Sequence, residues 1–312
     1  MFYLIKDMFN PMNWIKLIKD PKKIFTILDR IFYYPSLRFG YSKSKIYKNF
    51  IIKFTIFLAK RNKKFKEIFF SEMSVLNSKE IFIDFKNQKF DEKNFQILKD
   101  NGIIVLENIL SHEEHKNIKF NFENNLELNK FEKIKNIKSN EIVMKKINNI
   151  FDKNLTLDNI SNFFTKKIYG KNILPKQHYL NAAAIKLPEK MSPGDNIFHV
   201  DRFLPNLKMI YFPYKVDENN SPFSFALGSH KINSEYLDFF INNETWIFDE
   251  RNPSSEKFLK YKKEIHVNEN SLVVALTNGF HSRTPFRKYL DRSAIFFTYP
   301  NFNLISLMFP KN

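Results

Sequence analysis

The hydrophobic positions of the first 85 residues follow the spacing of short amphipathic helices. Between Pro21 and Pro35, apolar residues recur at intervals of three and four, which places them on one face of a helix. The segment "IYKNFIIKFTIFLAKRNKKFKEIFF", residues 46–70, repeats this pattern and contains a basic run. Such a helix either lies in a membrane interface or packs on the flank of a domain. We favour packing, because most aromatic helix faces are buried.

Farther along the chain, the sequence predicts a helix that is followed by a strand. Asp91 stands where a helix N-cap is expected, and Gly102 stands where that helix ends. The β-branched run at residues 103–110 predicts a strand. The Asn- and Lys-rich residues 121–170 indicate helix or loop.

After about residue 175 the pattern becomes a series of short apolar strands separated by Pro, Gly, Asn or Ser. The predicted strands lie in "QHYLNAAAIKLP", "IFHVDRF", "LKMIYFPYKV", "FSFALGSH", "KEIHVN", "SLVVALTN" and "RSAIFFTYP". Short strands with regular turn signals are typical of a sandwich or jelly roll. Helices followed by strands therefore predict an α+β protein. We expect a basic, aromatic-rich helical extension over residues 1–85 and one main domain over residues 86–312.

Composition and charge narrow the possible chemistry. The 312 residues include no cysteine, which excludes disulfide scaffolds, thiolate metal sites and cysteine nucleophiles. The formal charge is +17, and residues 1–70 hold 16 Lys and Arg against 4 Asp and Glu. This excess predicts contact with an anionic membrane, nucleic acid or an acidic partner. A composition rich in Lys, Asn, Ile and Phe throughout explains the excess equally well.

Two signals for export or membrane insertion are missing from the sequence. No run of about 18 apolar residues predicts a transmembrane helix. The N-terminus has no small-residue cleavage site that would predict a signal peptide. We therefore expect a cytoplasmic protein that is able to lie against the inner face of the membrane through residues 1–70.

Two potential metal ligands stand two residues apart in "NIFHVDRFLPN". Residues i and i+2 of a strand point to one face, so His199 and Asp201 would present an imidazole and a carboxylate side by side, with Val200 facing away. A third ligand, His281, follows the predicted strand "SLVVAL", 82 residues after His199. Two histidines and one carboxylate form the facial triad of non-haem Fe(II) oxygenases. The same donors are able to hold Zn²⁺.

Arg292, eleven residues beyond His281, opens the last predicted strand. A guanidinium binds a carboxylate through two parallel hydrogen bonds. Beside an iron ion, that carboxylate would belong to a dicarboxylate cosubstrate. A pair with the neighbouring Asp291 is the alternative.

Four segments, in order, resemble the phytanoyl-CoA dioxygenase family of Fe(II)/2-oxoglutarate oxygenases. They are "FDEKNFQILKDNGIIVLENILSHEE", "FHVD", "SPFSFALGSHK" and "ENSLVVALTNGFHSRTPFRKYLDRSAIFFTY". The resemblance implies a double-stranded β-helix, a cupin-like jelly roll flanked by helices, that holds Fe(II) through His199, Asp201 and His281. It implies that Arg292 binds 2-oxoglutarate and that O₂ is consumed to hydroxylate an aliphatic C–H bond. The retained Asp201 favours hydroxylation over halogenation.

The chain departs from the family pattern around two motifs. Leu227 stands where the family has a proline before Gly-Ser-His. Ser282, Arg283 and Thr284 replace the small residues that usually follow the distal histidine. Arg283 either anchors an anionic substrate or disturbs 2-oxoglutarate binding, and we favour the first. His230, in the Gly-Ser-His motif, is not expected to be a ligand.

Two further residues are weaker candidates for the site. Arg202, beside Asp201, is a candidate for substrate binding. Asn181 lies on the strand before "FHVD" and is either a contact of the cosubstrate or a satisfied buried amide.

The predicted function is an Fe(II)/2-oxoglutarate-dependent dioxygenase that hydroxylates an anionic or carrier-bound small molecule. One alternative is a catalytically inactive ligand-binding protein of the same fold. Another is a membrane- or nucleic-acid-associated binder that uses the basic N-terminus. Nucleic acid is the less expected partner, because the charge lies outside the catalytic body.

Overall fold

A computed structural model describes residues 45–71, 78–86, 90–127, 132–135, 141–145, 155–173, 180–185, 198–242, 247–248, 256–284, 292–299 and 302. The amphipathic segment predicted between Pro21 and Pro35 lies outside these residues. Helices and strands are interspersed along the chain. The helices are α1 (Lys45–Arg61), α2 (Lys63–Phe69), α3 (Glu92–Asn101), α4 (His112–Glu127), α5 (Leu155–Tyr169), α6 (Ser234–Asn242) and α7 (Glu256–Leu259), with a 3₁₀ turn at Ser78–Ile81.

The strands form two sheets. They are β1 (Phe82–Asp84), β2 (Ile103–Glu107), β3 (Glu132–Lys135), β4 (Glu141–Lys145), β5 (Leu180–Ile185), β6 (Phe198–His199), β7 (Leu207–Phe212), β8 (Phe223–Ala226), β9 (Ile247–Phe248), β10 (Lys262–Ile265), β11 (Ser271–Leu276), β12 (His281–Arg283) and β13 (Arg292–Thr298). The larger sheet has the order β1-β2-β11-β7-β13-β5-β4-β3, and the smaller one has the order β10-β8-β12-β6-β9.

The path of the chain between the sheets defines the architecture. From β5 to β8 the chain changes sheet at every step, and it does so again from β10 to β13. Four neighbouring strands of the larger sheet, β11-β7-β13-β5, therefore face β10-β8-β12-β6 of the smaller sheet. All these neighbours pair antiparallel. This is a double-stranded β-helix with flanking helices, which confirms the predicted fold class.

The centre of the larger sheet is apolar and buried. Every residue of β11 is buried, and so are the first four residues of β2. β11 lies between β2 and β7, and α3 packs against β2. A strand covered on both faces has no solvated side, so its sequence becomes a continuous apolar run such as "SLVVAL".

The predicted ends of α3 are confirmed. Asp91 accepts from the amide of Asn94, and the Asn94 side chain accepts from the amide of Asp91, which completes a capping box. Gly102 ends the helix with φ 79°, a left-handed conformation in which a side chain is strained. A Cβ added there would also lie 2.4 Å from His230 Nδ1. Glycine is thus required at position 102 both by the left-handed turn and by the close approach of the His230 ring.

Two regions differ from the sequence prediction. Residues 121–170 contain the hairpin β3–β4, which extends the larger sheet beyond β5. Its strands, "EKIK" and "EIVMK", are short and each begins and ends with a charged residue, so they resemble the Asn- and Lys-rich sequence around them. The region after residue 175 contains α6 and α7 besides its strands. α6 buries Tyr236, Phe239 and Phe240, whose spacing is that of one helix face. This helix was not predicted, because the segments around it are aromatic strands.

The described part of the N-terminal region packs on the β-helix. α1 and α2 are separated at Asn62, whose side chain accepts from the amide of Phe65 and caps α2. The Phe65 ring lies 5.0 Å from that of Phe302. β1 pairs parallel with β2 in the larger sheet. The division between an extension and a main domain at residue 85 stays a prediction.

No helix of the described residues is both long and apolar enough to cross a membrane.

Candidate metal centre

Three potential metal ligands come together on the smaller sheet. His199 ends β6, His281 begins β12, and Asp201 follows β6 by two residues. One ligand atom from each residue lies within 4.8 Å of the others. Within the described part of the chain, no other group of His, Cys or acidic side chains is this close. The structure thus brings together the three residues proposed as ligands.

His281 is fixed in one tautomer. Its Nδ1 lies 2.9 Å from the carbonyl oxygen of Gly279. Because a carbonyl only accepts, Nδ1 donates its proton and Nε2 keeps a lone pair. This Nε2 lies 3.7 Å from Asp201 Oδ1. β12 pairs with β6 so that His199 stands directly opposite His281, with their ring centroids 4.6 Å apart. Metal-binding imidazoles are commonly oriented by a carbonyl in this way.

Asp201 reaches the cluster by a route that the strand pattern did not predict. β6 ends at His199 and the chain bends at Asp201, so the two residues do not share one continuous strand face. The Asp201 amide donates to the carbonyl of Thr277 over 2.9 Å. This hydrogen bond holds the bend against the end of β11. The predicted proximity is therefore right, but its cause is contact with another segment and not the pleat of a strand.

Lys208 contacts the Asp201 carboxylate from the side away from the histidines. Its Nζ lies 2.6 Å from Asp201 Oδ2. The other carboxylate oxygen, Oδ1, lies 3.9 Å from His199 Nε2 and 3.7 Å from His281 Nε2. The two oxygens thus have separate neighbours. Since Lys208 is the second residue of β7, this ion pair links the larger sheet to the ligands on the smaller one.

The surroundings of Asp201 favour its charged form. Burial alone would raise the pKa of this carboxyl, but the charge of the neighbouring Lys208 ammonium outweighs burial and holds the pKa well below its usual value. The group is therefore a carboxylate at neutral pH. That is the form in which it binds a cation.

The cluster is sheltered on one side and open on the other. The His281 side chain is 5% exposed, and the ring of Phe223 lies 5.6 Å from its ring. The side chains of His199 and Asp201 keep 30% and 24% of their surface exposed. A ligand would therefore approach the centre from the side of His199 and Asp201.

Arg292 lies in the larger sheet at the start of β13 and is buried. Its guanidinium carbon is 5.6 Å from the centroid of the Phe212 ring. In the ladder between β13 and β7, Lys208 stands opposite Thr298, at the other end of β13. The two cations therefore occupy opposite ends of the same pair of strands. The proposed contact between Arg292 and a cosubstrate stays a prediction.

The other candidates occupy three different elements. Arg283 follows His281 by two positions on β12, so it shares the strand face of that ligand, and it is half-buried. Arg202 is half-buried. Burial raises the pKa of Tyr169, and the charge of nearby Arg202 partly offsets this rise. The backbone of Asn181 stands on β5, opposite Phe296 of β13, while its side chain lies outside the described part of the structure.

The Gly-Ser-His-Lys motif belongs to a loop that caps two helices. We call residues 227–232 the capping loop. His230 Nε2 lies 2.9 Å from the carbonyl oxygen of Lys99 near the end of α3. Lys231 Nζ donates to the carbonyl oxygen of Ile68 near the end of α2, over 3.1 Å. Helix ends leave carbonyl groups without partners inside the helix, and this loop satisfies two of them. His230 lies outside the ligand cluster, as expected.

A separate polar cleft of about 950 Å³ contains none of the three ligands. Several of its polar groups pair with one another or with neighbours. His115 Nδ1 lies 2.6 Å from the hydroxyl of Tyr211, and Lys119 Nζ lies 3.0 Å from Glu269 Oε2. These contacts tie α4 to the larger sheet. They make a structural role the simplest account of the cleft.

Sequence reasoning missed Lys208 and Thr277. Lys208 had a visible signal, since it is the one charged residue in the apolar strand "LKMIYF". A lysine at such a position needs an acidic or solvent-exposed environment. Thr277 acts through its backbone carbonyl, which any residue type supplies, so the sequence contained no signal for it.

No protein-family model matches the chain, and no curated protein matches it. Among solved structures, it resembles the non-heme alpha ketoglutarate dependent epimerase SnoN from nogalamycin biosynthesis, at 12% identity over 66% of this chain and 80% of that one, with a TM-score of 0.48. HygX from Streptomyces hygroscopicus, with nickel and 2-oxoglutarate bound, matches at 12% identity over 67% and 87%, with a TM-score of 0.48. EctD from S. alaskensis matches at 13% over 74% and 80%, with a TM-score of 0.46. Likeness at this level says nothing about the chemistry of this chain.

Proposed function

We propose that this protein is an Fe(II)- and 2-oxoglutarate-dependent oxygenase that hydroxylates an aliphatic C–H bond of an anionic or carrier-bound small molecule. The observation that supports this best is the His199–Asp201–His281 cluster on the smaller sheet of a double-stranded β-helix. Two imidazoles and one carboxylate are the donors of the facial triad that leaves open positions on Fe(II).

The donor set fits a divalent cation in three respects. The Asp201 carboxyl is ionised, its Oδ1 faces both imidazoles, and Nε2 of His281 has its lone pair available. With no thiolate among the donors, the set suits Fe(II) or Zn²⁺. When bound, Fe(II) with 2-oxoglutarate and O₂ supplies an oxidant that places one oxygen atom in a C–H bond, while the cosubstrate is converted to succinate and CO₂.

Two arginines suit the two anions of the proposed reaction, the cosubstrate and an anionic substrate. The buried Arg292 has the planar fork that binds a carboxylate through two hydrogen bonds, and we assign it to 2-oxoglutarate. Arg283 shares the strand face of His281 and keeps part of its surface exposed, so we assign it to an anionic group of the substrate. Arg202, next to Asp201, and Asn181, on the strand beside β13, are supporting candidates for substrate and cosubstrate.

Anaerobic titration tests the proposal. The protein with Fe(II) is expected to develop a visible charge-transfer band when 2-oxoglutarate is added, because the cosubstrate chelates the metal. Asp201→Ala should abolish the band by loss of metal. Arg292→Gln should retain the metal and require at least about tenfold more 2-oxoglutarate, since a buried charge-assisted pair is worth more than 1.4 kcal/mol.

Arg61→Gln is a matched control, because Arg61 is an exposed arginine on α1, and it should titrate like the unaltered protein. Absence of the band in a metal-loaded protein would contradict the oxygenase and favour the catalytically inactive binding protein. Equal 2-oxoglutarate affinity in Arg292→Gln would remove that residue from the proposal without affecting the metal centre.

A further inference from the structure

The outer face of α1 exposes three phenylalanines in a row. Phe50, Phe54 and Phe57 are 62%, 39% and 52% exposed, and their i, i+4, i+7 spacing places them on one side of the helix. The rings of Phe50 and Phe54 stack with their centroids 6.2 Å apart. Only one other large hydrophobic side chain of the described residues is exposed, Phe120 on α4 at 61%. We call the three phenylalanines of α1 the aromatic face.

The opposite side of α1 is anchored, so the aromatic face has a fixed direction. Ile52, Ile56 and Ala59 are buried in the core. The helix that follows, α2, is held by the capping loop: the amide of Ile232 donates to the carbonyl of Phe69 over 2.7 Å, in addition to the bond from Lys231. The phenylalanines therefore do not belong to a detached segment that could turn them inward. They form a surface of the folded protein.

Exposed cationic side chains accompany the aromatic face along α1. α1 contains no acidic residue, and Lys53 and Lys60 are exposed on it. The guanidinium carbon of Arg61 lies 4.6 Å from the centroid of the Phe57 ring. Exposed lysines continue into α2 at Lys63. Apolar rings and long cationic side chains are thus both exposed on α1.

We propose that the aromatic face of α1 and the lysines around it form a docking surface for an anionic lipid bilayer. Protein–protein interfaces are depleted in lysine at their centres, so this mixture fits a second protein poorly. It fits the membrane interface well, since phenylalanine rings on an amphipathic helix insert at the boundary between headgroups and acyl chains, and lysine ammonium groups reach anionic headgroups. The proposal concerns a surface remote from the ligand cluster in sequence, and it stands independently of the proposed catalytic function.

Vesicle sedimentation of the full-length protein tests the surface. Vesicles of phosphatidylcholine and phosphatidylserine in equal parts should bind the protein at least about tenfold more tightly than vesicles of phosphatidylcholine alone. Binding should weaken when the salt concentration rises from about 0.05 M to about 0.5 M, because salt screens attraction between surface charges. Equal binding to both vesicles, or binding to neither, would overturn the proposal.

Two sets of variants locate the contact. The combined substitution of Phe50, Phe54 and Phe57 by Ser should reduce binding to the mixed vesicles at least about tenfold, since it removes the apolar contribution. Phe120→Ser is the matched control, being an equally exposed phenylalanine on α4, and it should bind like the unaltered protein. Likewise, Lys53→Glu with Lys60→Glu should weaken binding, whereas Lys93→Glu with Lys116→Glu, at exposed positions on α3 and α4, should not.

The same variants separate the membrane from other occupants. If the triple serine variant keeps full vesicle binding, another segment is responsible and the proposal fails. If the unaltered protein forms dimers without lipid and the triple variant is monomeric, the aromatic face is a self-association surface instead. Far-UV circular dichroism should show the same helix content in all variants, because each substituted side chain is exposed.

Discussion

At the scale of single residues, the Asp201 carboxylate determines how the candidate site is arranged. One of its oxygens meets Lys208, and the other faces both histidines. A carboxylate held in this way presents one oxygen to an ion in a fixed direction. The lysine also opposes the effect of burial on the pKa of the carboxyl. Lys208 is thus a positioning residue that acts through Asp201.

Replacing Lys208 tests this role. Lys208→Met removes the ion pair while keeping most of the side-chain volume, and it should weaken Co²⁺ binding by about 10–100-fold through loss of ligand orientation. Lys208→Arg, which keeps the charge, should stay close to the unaltered affinity. Both constants can be measured by following the Co²⁺ absorption bands during titration. Tighter binding in Lys208→Met would mean that the lysine acts mainly by repelling the cation.

His230 predicts a pH dependence of folding. Complete burial, together with the nearby charge of Lys231, holds its pKa well below the usual value, although the contact with Lys99 opposes the shift. At pH values between that lowered pKa and about 6.5, His230 is protonated in the unfolded chain but neutral in the folded protein. The free energy of unfolding should therefore fall as the pH drops below about 6.5, by up to about 1.4 kcal/mol per pH unit from this residue.

Urea unfolding at a series of pH values measures this slope. In His230→Gln the amide nitrogen is able to donate to the carbonyl of Lys99, as the ring Nε2 does. Since glutamine does not titrate, the variant should lose stability less steeply below pH 6.5. A slope equal to that of the unaltered protein would show that other groups cause the acid sensitivity.

At the scale of elements, the pattern of hydrophobic residues predicted the structure best where it stayed regular over a whole helix or strand. Residues 103–107 and "SLVVAL" form strands as predicted, and α3 begins and ends at the residues expected. The hairpin β3–β4 was not predicted because β3 has a single apolar residue, and because β4, which is short, gains stability from pairing with β5. β6 is only two residues long, so the alternation expected from His199 to Asp201 breaks off before it reaches the aspartate.

The capping box of α3 gives a prediction for one element. Asp91→Ala removes the side chain that accepts from the amide of Asn94, and it should lower the free energy of unfolding by about 1 kcal/mol. Asp91→Asn, which keeps an acceptor oxygen, should lose much less. Equilibrium urea unfolding distinguishes the two variants. Equal losses would mean that the charge of Asp91, and not its hydrogen bond, stabilises the helix.

At the scale of the whole molecule, the candidate site joins the two sheets. His199 and His281 come from the smaller sheet, while Asp201 is held by Thr277 at the end of β11 and by Lys208 on β7 of the larger sheet. The residue types and order of the ligands were visible in the sequence. The contacts that hold Asp201 were not, because they depend on which strands become neighbours.

A metal ion bound by these ligands should stabilise the fold. It would bind the folded protein and not the unfolded chain, so Zn²⁺ at 100 times its dissociation constant should add about 2.7 kcal/mol to the free energy of unfolding. Differential scanning fluorimetry should show a higher melting temperature with Zn²⁺ and its reversal by EDTA. The shift should vanish in Asp201→Ala and persist in His266→Ala, a variant of a histidine outside the cluster. A shift retained in Asp201→Ala would place the ion elsewhere.

The capping loop has a practical consequence for anyone who shortens the chain. Cutting before residue 86 would delete α2, and with it the carbonyl groups of Ile68 and Phe69 that receive Lys231 and Ile232. Lys231 is 2% exposed, and burial lowers its pKa to about 8. The shortened protein would retain Lys231, which is buried in the intact protein, without the carbonyl group that accepts from it. Apolar side chains around Phe302 would become exposed. A minimal folded fragment should therefore begin upstream of α1.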